Sequence, residues 1–298
     1  LTQINGVNLK NPVICASGTF NFGEEFKPFF ALSRLGGISL KGLTLEKREG
    51  NDSPRIAETY GGIINSVGLQ NPGLDSFLKD YLPSLTKEGT VLIANIAGNT
   101  AEEYCEMARR LSHSEIDIIE LNISCPNVKQ GGLAFGTQPK GIESIVSSVK
   151  RYCKKPLMVK LTPNVADIAE NALAAEAGGA DSISLINTIK AMAIDIKSQK
   201  PILANVIGGL SGRAIKPIAL RMVYECAKVV KVPIIGMGGI FTTEDAIEFM
   251  LAGASAVQVG TANIINPMAA VEIIDGLEEY CCQNNIKNIK EIVGGLRI

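Results

Sequence analysis

Short, near-continuous apolar runs alternate along this chain with longer stretches in which apolar residues recur at helical spacing. The short runs are Val13–Ala16, Gly37–Lys41, Val91–Ile96, Ile118–Ile123, Leu157–Leu161, Ser182–Ile186, Pro233–Met237 and Ala256–Gly260. Runs this short, without polar alternation, suit strands buried on both faces, as in parallel sheets. Between them, Ile142, Ile145, Val146 and Val149 follow the i, i+3, i+4, i+7 template of an amphipathic helix. Thr100 and Glu103 make a capping-box pattern ahead of Tyr104, Met107, Ala108 and Leu111. Thr242 or Thr243 can cap a helix carrying Ala246, Ile247, Met250 and Leu251, and Met268, Val271, Ile274 and Leu277 mark a final helix. Eight strand–helix repeats predict an α/β fold, a (β/α)8 TIM barrel with residues 1–298 as one domain. Before the first repeat, Gln3–Leu9 places short segments either side of Asn5-Gly6, a hairpin signal. A doubly wound open sheet is the rival fold. No strand is followed by a G-x-G-x-x-G opening a helix, so the barrel is preferred.

In such a barrel the loops after the strands form the active face. Polar and glycine residues gather there: Ser17-Gly18-Thr19, Lys41-Gly42, Asn95, Asn122, Lys160, Asn187-Thr188, Gly238-Gly239 and Gly260-Thr261. Lysine is almost never buried unpaired. Lys41 and Lys160, each ending an apolar run, therefore predict a mouth that receives an anionic or electron-rich ligand. A snorkelling or salt-bridged side chain is the alternative for either one. Three late glycine stretches, Gly208-Gly209-Leu210-Ser211-Gly212, Gly236-Met237-Gly238-Gly239 and Gly260-Thr261, predict a bound phosphate, because glycine lets backbone N–H groups approach closely. That phosphate fits a sugar phosphate or a flavin mononucleotide. Asn65, Asn122, Asn127 and Asn187 put four amides at one mouth, matching a ureide rim of alternating C=O and N–H groups. They favour a pyrimidine-like ligand.

The run Asn122-Ile123-Ser124-Cys125-Pro126-Asn127 leaves an apolar strand through a thiol held by proline and bracketed by asparagines. A turn alone needs no thiol, so Cys125 can act on a carbon of the ligand; a buried structural cysteine is the other reading. His113, the sole histidine, lies between Ser112 and Ser114 and reads as solvated. Proton transfer must then use another side chain, which excludes histidine triads and most histidine-ligated metal sites.

A net charge of −1 without a basic run disfavours nucleic acid as a partner. The apolar runs fall short of the roughly 20 residues of a membrane helix, so no membrane is expected. Seven cysteines without a C-x-x-C pair make neither a disulfide framework nor a zinc or iron–sulfur site. With no signal-peptide pattern at Leu1, a reducing cytoplasm is expected.

These residues resemble the class 1 dihydroorotate dehydrogenases almost end to end, from Asn11-Pro12-Val13 to Gly260-Thr261-Ala262. Most specific are Asn65-Ser66-Val67-Gly68-Leu69, Asn122 to Val128, and Asn205 to Gly212. The resemblance implies an FMN-containing barrel that oxidises dihydroorotate to orotate in pyrimidine synthesis, with Cys125 as the base that removes the C5 proton. It implies substrate contacts at Lys41, Asn65, Ser66, Val67, Gly68, Leu69, Asn122, Asn127, Asn187 and Thr188. It implies flavin contacts at Ser17, Lys41, Gly42, Asn95, Asn122, Lys160, Ile186, Gly212, Gly238, Gly239, Gly260 and Thr261. Ser17 to Glu25 and Gln130 to Thr137 are similar to the NAD-linked class 1B catalytic subunit. That similarity implies a homodimer of this chain within a heterotetramer, the second subunit carrying FAD and a 2Fe–2S cluster. The fumarate-linked class 1A homodimer is the nearest alternative. A tRNA dihydrouridine synthase, a dihydropyrimidine dehydrogenase-like barrel and a flavin-free phosphate-binding barrel stand further off.

Overall fold

Eight parallel strands close on one another in the computed structural model, which describes residues 2–124 and 136–298. In chain order they are Val13–Cys15, Gly37–Ser39, Val91–Ile96, Ile118–Asn122, Leu157–Lys160, Ser182–Leu185, Ile234–Met237 and Ala254–Val259. Each pairs with the next, and the eighth returns to the first through Val257↔Val13 and Val259↔Cys15. The expected (β/α)8 barrel is the observed one. The apolar runs overshoot the strands at their C-terminal ends: Ala16, Lys41, Ile123, Leu161, Ile186 and Gly260 each lie just past the last paired residue. Most of them stay buried because the barrel mouth, not open solvent, receives them.

The N-terminal hairpin, Thr2–Ile4 paired antiparallel with Val7–Leu9, closes the opposite end of the barrel. Its Ile4 and Leu9 pack against Ile14, Ile93, Ile118, Met158, Ile235 and Ala256 from six of the strands. Asn5, at the turn, donates to the Ser182 hydroxyl at 2.7 Å. This apolar plug keeps water from the lower half of the barrel, so polar groups in the upper half must satisfy one another.

The helices start largely where their caps are written. The Thr242 hydroxyl accepts from the Asp245 N–H, and the Asp245 carboxylate returns a bond to the Thr242 backbone, opening Thr243–Leu251. At Ala101–Leu111 only half of the expected box forms: Thr100 accepts from the Glu103 N–H at 3.3 Å. The Glu103 carboxylate instead takes the Asn99 N–H at 2.7 Å, one residue earlier, because that turn leaves the Asn99 amide free.

One layer was not foreseen. Ile56–Thr59, Gly62–Asn65, Ile207–Ser211 and Ile189–Met192 form a four-stranded antiparallel sheet built from the insertions after the second and sixth barrel strands. Asn65 therefore ends a strand and does not sit on a free loop. Gly208 and Gly209 are likewise strand residues, not phosphate-loop residues. A Cβ on Gly209 would lie 2.0 Å from the Thr188 hydroxyl, so glycine is needed there for packing between sheet and barrel.

Candidate functional site

Every barrel strand delivers a residue to the same face. Ser17 follows the first strand and Lys41-Gly42 the second; Asn95, Asn122 and Lys160 lie at or near the ends of the third, fourth and fifth. Ile186-Asn187-Thr188, Gly238-Gly239 and Gly260-Thr261 follow the remaining three. Register fixes who neighbours whom: Asn95 lies beside Glu120, Asn122 beside Lys160, and Lys160 beside Ser184. The residues expected from sequence thus converge, with two outside view: Cys125 and Asn127 lie outside the described residues.

The segment 65–69 is pinned to this face by its own backbone. Ser66 N–H donates to the Arg55 carbonyl at 2.8 Å, Asn51 N–H to the Val67 carbonyl at 3.0 Å, and the Asn71 amide to the Leu69 carbonyl at 2.7 Å. Gly68 has φ +78, and a Cβ there would press within 2.6 Å of Asn51, so no other residue fits. Asn65 donates to the Gly209 carbonyl at 3.3 Å. The Ser66 hydroxyl is buried with no partner among the described residues. Across the mouth, Asn164 donates to the Thr188 carbonyl at 3.0 Å and holds that turn in place.

Beneath the mouth lies a polar layer that sequence reasoning missed. Glu120 is fully buried and accepts from Ser39 at 2.7 Å, Asn95 at 2.6 Å, Ser184 at 2.7 Å and Gln258 at 3.0 Å. Burial pushes its carboxyl up. The Lys160 charge and the bonds from Ser39, Asn95 and Ser184 outweigh burial and hold it below the usual carboxylate range. The rule applied to the two lysines, that buried charge needs a partner, would have flagged Glu120 in its apolar strand as well. A carboxyl depressed in the folded state adds stability above its unfolded value, about 4.3, and loses it as pH falls through the folded value. Glu120→Gln is therefore expected to melt below wild type by a constant margin from neutral pH to about 5, the margin closing in more acid solution. A margin that does not close as the pH is lowered from about 5 toward 3, in melting curves recorded there, contradicts an ionised Glu120.

The lysines are poised differently. Lys160 is 5% exposed, and its charge acts downward on Glu120. Lys41 is held below the usual lysine value by burial, with Arg55 as a second, repelling charge. It makes no hydrogen bond or ion pair with another described side chain. A desolvated cation without a counter-ion is a site for an anionic group.

The glycines suit a phosphate at three points. Gly238 and Gly239 have φ +120 and +78, and Gly212 has φ +109. Gly239 lies against the first residue of the helix Lys216–Ala227, Gly238 against Ile186 and Ala219. Gly260 opens the short helix Thr261–Ile265, and the Thr261 hydroxyl donates to Ser211 at 2.9 Å, joining the loops after the sixth and eighth strands. A Cβ at Gly260 would meet only Ala16 and Thr19 at ordinary distances of 3.5 and 3.7 Å, so packing within the chain does not require glycine there. These backbone groups, with Lys160, Asn95 and Asn122 toward the barrel axis, fit a flat ring system carrying a phosphate, as in FMN. His113, by contrast, is exposed, its Nδ1 lying 2.9 Å from the Arg109 carbonyl far from this face.

Comparison with known proteins agrees with this geometry. The family model described as dihydroorotate dehydrogenase matches residues 1–281. The chain is 59% identical over 294 residues to the dihydroorotate dehydrogenase B (NAD(+)), catalytic subunit, of Alkaliphilus oremlandii, covering 99% of this chain and 97% of that one. It is 59% identical to the same-named protein of Alkaliphilus metalliredigens, with the same coverage. It is 56% identical over 296 residues to that of Caldicellulosiruptor saccharolyticus, covering 99% and 98%.

Proposed function

This chain belongs to the dihydroorotate dehydrogenase family, and we propose that the mouth described above is where it oxidises dihydroorotate to orotate. It is the catalytic, FMN-binding subunit of the NAD-linked type. The observation that carries the assignment of the mouth is the meeting of Lys41, without an ion-pair partner among the described residues, buried Lys160 and the amides of Asn122 and Asn187 at the ends of the barrel strands, with Asn65 at the end of a strand of the added sheet. A ureide rim needs donors and acceptors in alternation without added charge, and three amides supply both. The substrate carboxylate needs a cation, and Lys41 has no counter-ion among the described residues.

FMN, when bound, supplies the acceptor for the C6 hydride of dihydroorotate. This chain's own residues supply the rest. Cys125, one residue past Ser124, takes the C5 proton, since a thiolate is a competent base once its pKa, about 8.5 when free, is approached. Asn127, Ser66, Val67, Gly68, Leu69 and Thr188 complete the enclosure of the substrate. Lys160, buried beside Asn122, would offer a positive charge to a bound flavin as it takes up negative charge. Gly212, Gly238, Gly239, Gly260 and Thr261 would hold the phosphate of FMN by backbone approach, and Ser17, Gly42, Asn95 and Ile186 would contact the rest of the cofactor.

Electrons leave through a second subunit, which carries FAD and a 2Fe–2S cluster. A heterotetramer around a homodimer of this chain is the assembly we propose. No helix among the described residues is long and apolar enough to cross a membrane. The six described cysteines are free thiols, which suits a reducing cytoplasm. Purified alone with FMN, the chain is expected to oxidise dihydroorotate with an artificial dye and to reduce NAD poorly; adding the partner restores NAD reduction. Efficient turnover with fumarate by the isolated chain, and no gain from any partner, would place it instead with the class 1A enzymes.

A further inference from the structure

We propose that Glu120 is a positioning residue that sets the direction of the amides at the mouth, acting through Asn95 on Asn122 and through Ser124 on Asn187. The inference rests on the reading of the mouth as the dihydroorotate site.

An ionised carboxylate only accepts hydrogen bonds. Glu120 Oε2 takes Ser39 Oγ and Asn95 Nδ2, and Oε1 takes Ser184 Oγ and Gln258 Nε2. The four donors sit on the second, third, sixth and eighth strands, so the carboxylate is held from all sides. Asn95 is fully buried and must present its NH2 to Glu120. Its Oδ1 is thereby turned away, and Asn122 Nδ2 donates to it at 3.4 Å. With its NH2 committed, Asn122 offers Oδ1 to Ser124, accepting the Ser124 N–H at 3.3 Å and its O–H at 2.5 Å. The Ser124 oxygen, its proton spent, accepts from Asn187 Nδ2. Asn187 Oδ1 then takes the Thr188 N–H at 2.7 Å.

Every donor in this relay points back toward Glu120. Reversing any amide would set donor against donor at one join and acceptor against acceptor at the next, and hydrogen bonds in series reinforce a common direction. Gln258 shows how strongly the carboxylate dictates orientation. It turns its NH2 to Glu120 although this leaves its own Oε1 buried and without a partner among the described residues. What Asn122 and Asn187 offer a ligand is therefore fixed by a group that does not reach the ligand.

Glutamine at 120 has nearly the same shape but can donate, which removes the acceptor-only terminus. The test uses the FMN-loaded protein and compares wild type, Glu120→Gln and Ser124→Ala, the last cutting the relay at the half-buried strand end where folding is least at risk. Orotate affinity is measured by calorimetry, and KM and kcat for dihydroorotate with a dye acceptor. In Glu120→Gln, orotate affinity is expected to fall by about 10-fold or more and KM to rise in step, with kcat changed less and FMN content unchanged. Ser124→Ala should move affinity in the same direction. A purely structural Glu120 would lower the melting temperature and leave affinity and KM alone. Wild-type orotate affinity in either folded variant overturns the proposal, and Ser124→Ala decides alone should Glu120→Gln not fold. If wild-type protein neither binds orotate nor oxidises dihydroorotate, it is the reading of the site that fails.

Discussion

Cys125→Ala is expected to keep its FMN and to lose about 10²–10⁴-fold in dihydroorotate turnover, the range typical for loss of a general base. Around the mouth the described side chains are amides, hydroxyls and lysines, and Glu120 is committed to four donors inside the barrel. Amides and hydroxyls cannot take a proton near neutral pH. Among the described residues a competitor is Lys41, whose pKa burial lowers. The two are separated by pH: Cys125→Ser should retain a little activity that rises toward high pH, since a hydroxyl is a far weaker acid than a thiol. Dye-linked turnover at wild-type rate in Cys125→Ala would transfer the base role to Lys41. FMN retention in the same variant checks that the thiol serves the substrate and not the cofactor.

The second large effect is expected at Gly260. Gly260→Ala should weaken FMN binding by about 10–100-fold, the cost of spoiling one charge-assisted backbone contact. The protein itself has room for the added methyl, 3.5 Å from the Ala16 Cβ. Loss of FMN without loss of folding would therefore report on the ligand. Gly239 is a poorer site for the same question. A Cβ there would come within 2.8 Å of the Lys216 backbone, at a φ of +78, so substitution disturbs the helix Lys216–Ala227 with or without a phosphate. Measuring the FMN dissociation constant through the fluorescence of released flavin gives the comparison. An unchanged constant in Gly260→Ala removes Gly260 from the phosphate site.

Much of this protein was legible because its sequence patterns are local. Buried parallel strands are short apolar runs, caps sit next to the helices they start, and both follow from spacing alone. The eight strands, the hairpin and the strand-end lysines, asparagines and glycines could therefore be read without coordinates. The chemistry at the mouth was legible for a related reason: a barrel turns the end of every strand to one face, so order in sequence becomes nearness in space.

Pairing across long separations could not be read this way. Gly62–Asn65 pairs with Ile207–Ser211 about 145 residues later, and nothing local marks Gly208 and Gly209 as strand residues rather than a phosphate loop. Glu120 is the sharper case. Within its strand it is one polar residue in an apolar run; its meaning depends on Ser39, Asn95, Ser184 and Gln258, which reach it from four other strands. Sequence determined that amides and cations would gather at the mouth. Only closure of the barrel decided which way those amides face, because a hydrogen bond's direction is set by its partner, and the partners meet only in the folded chain.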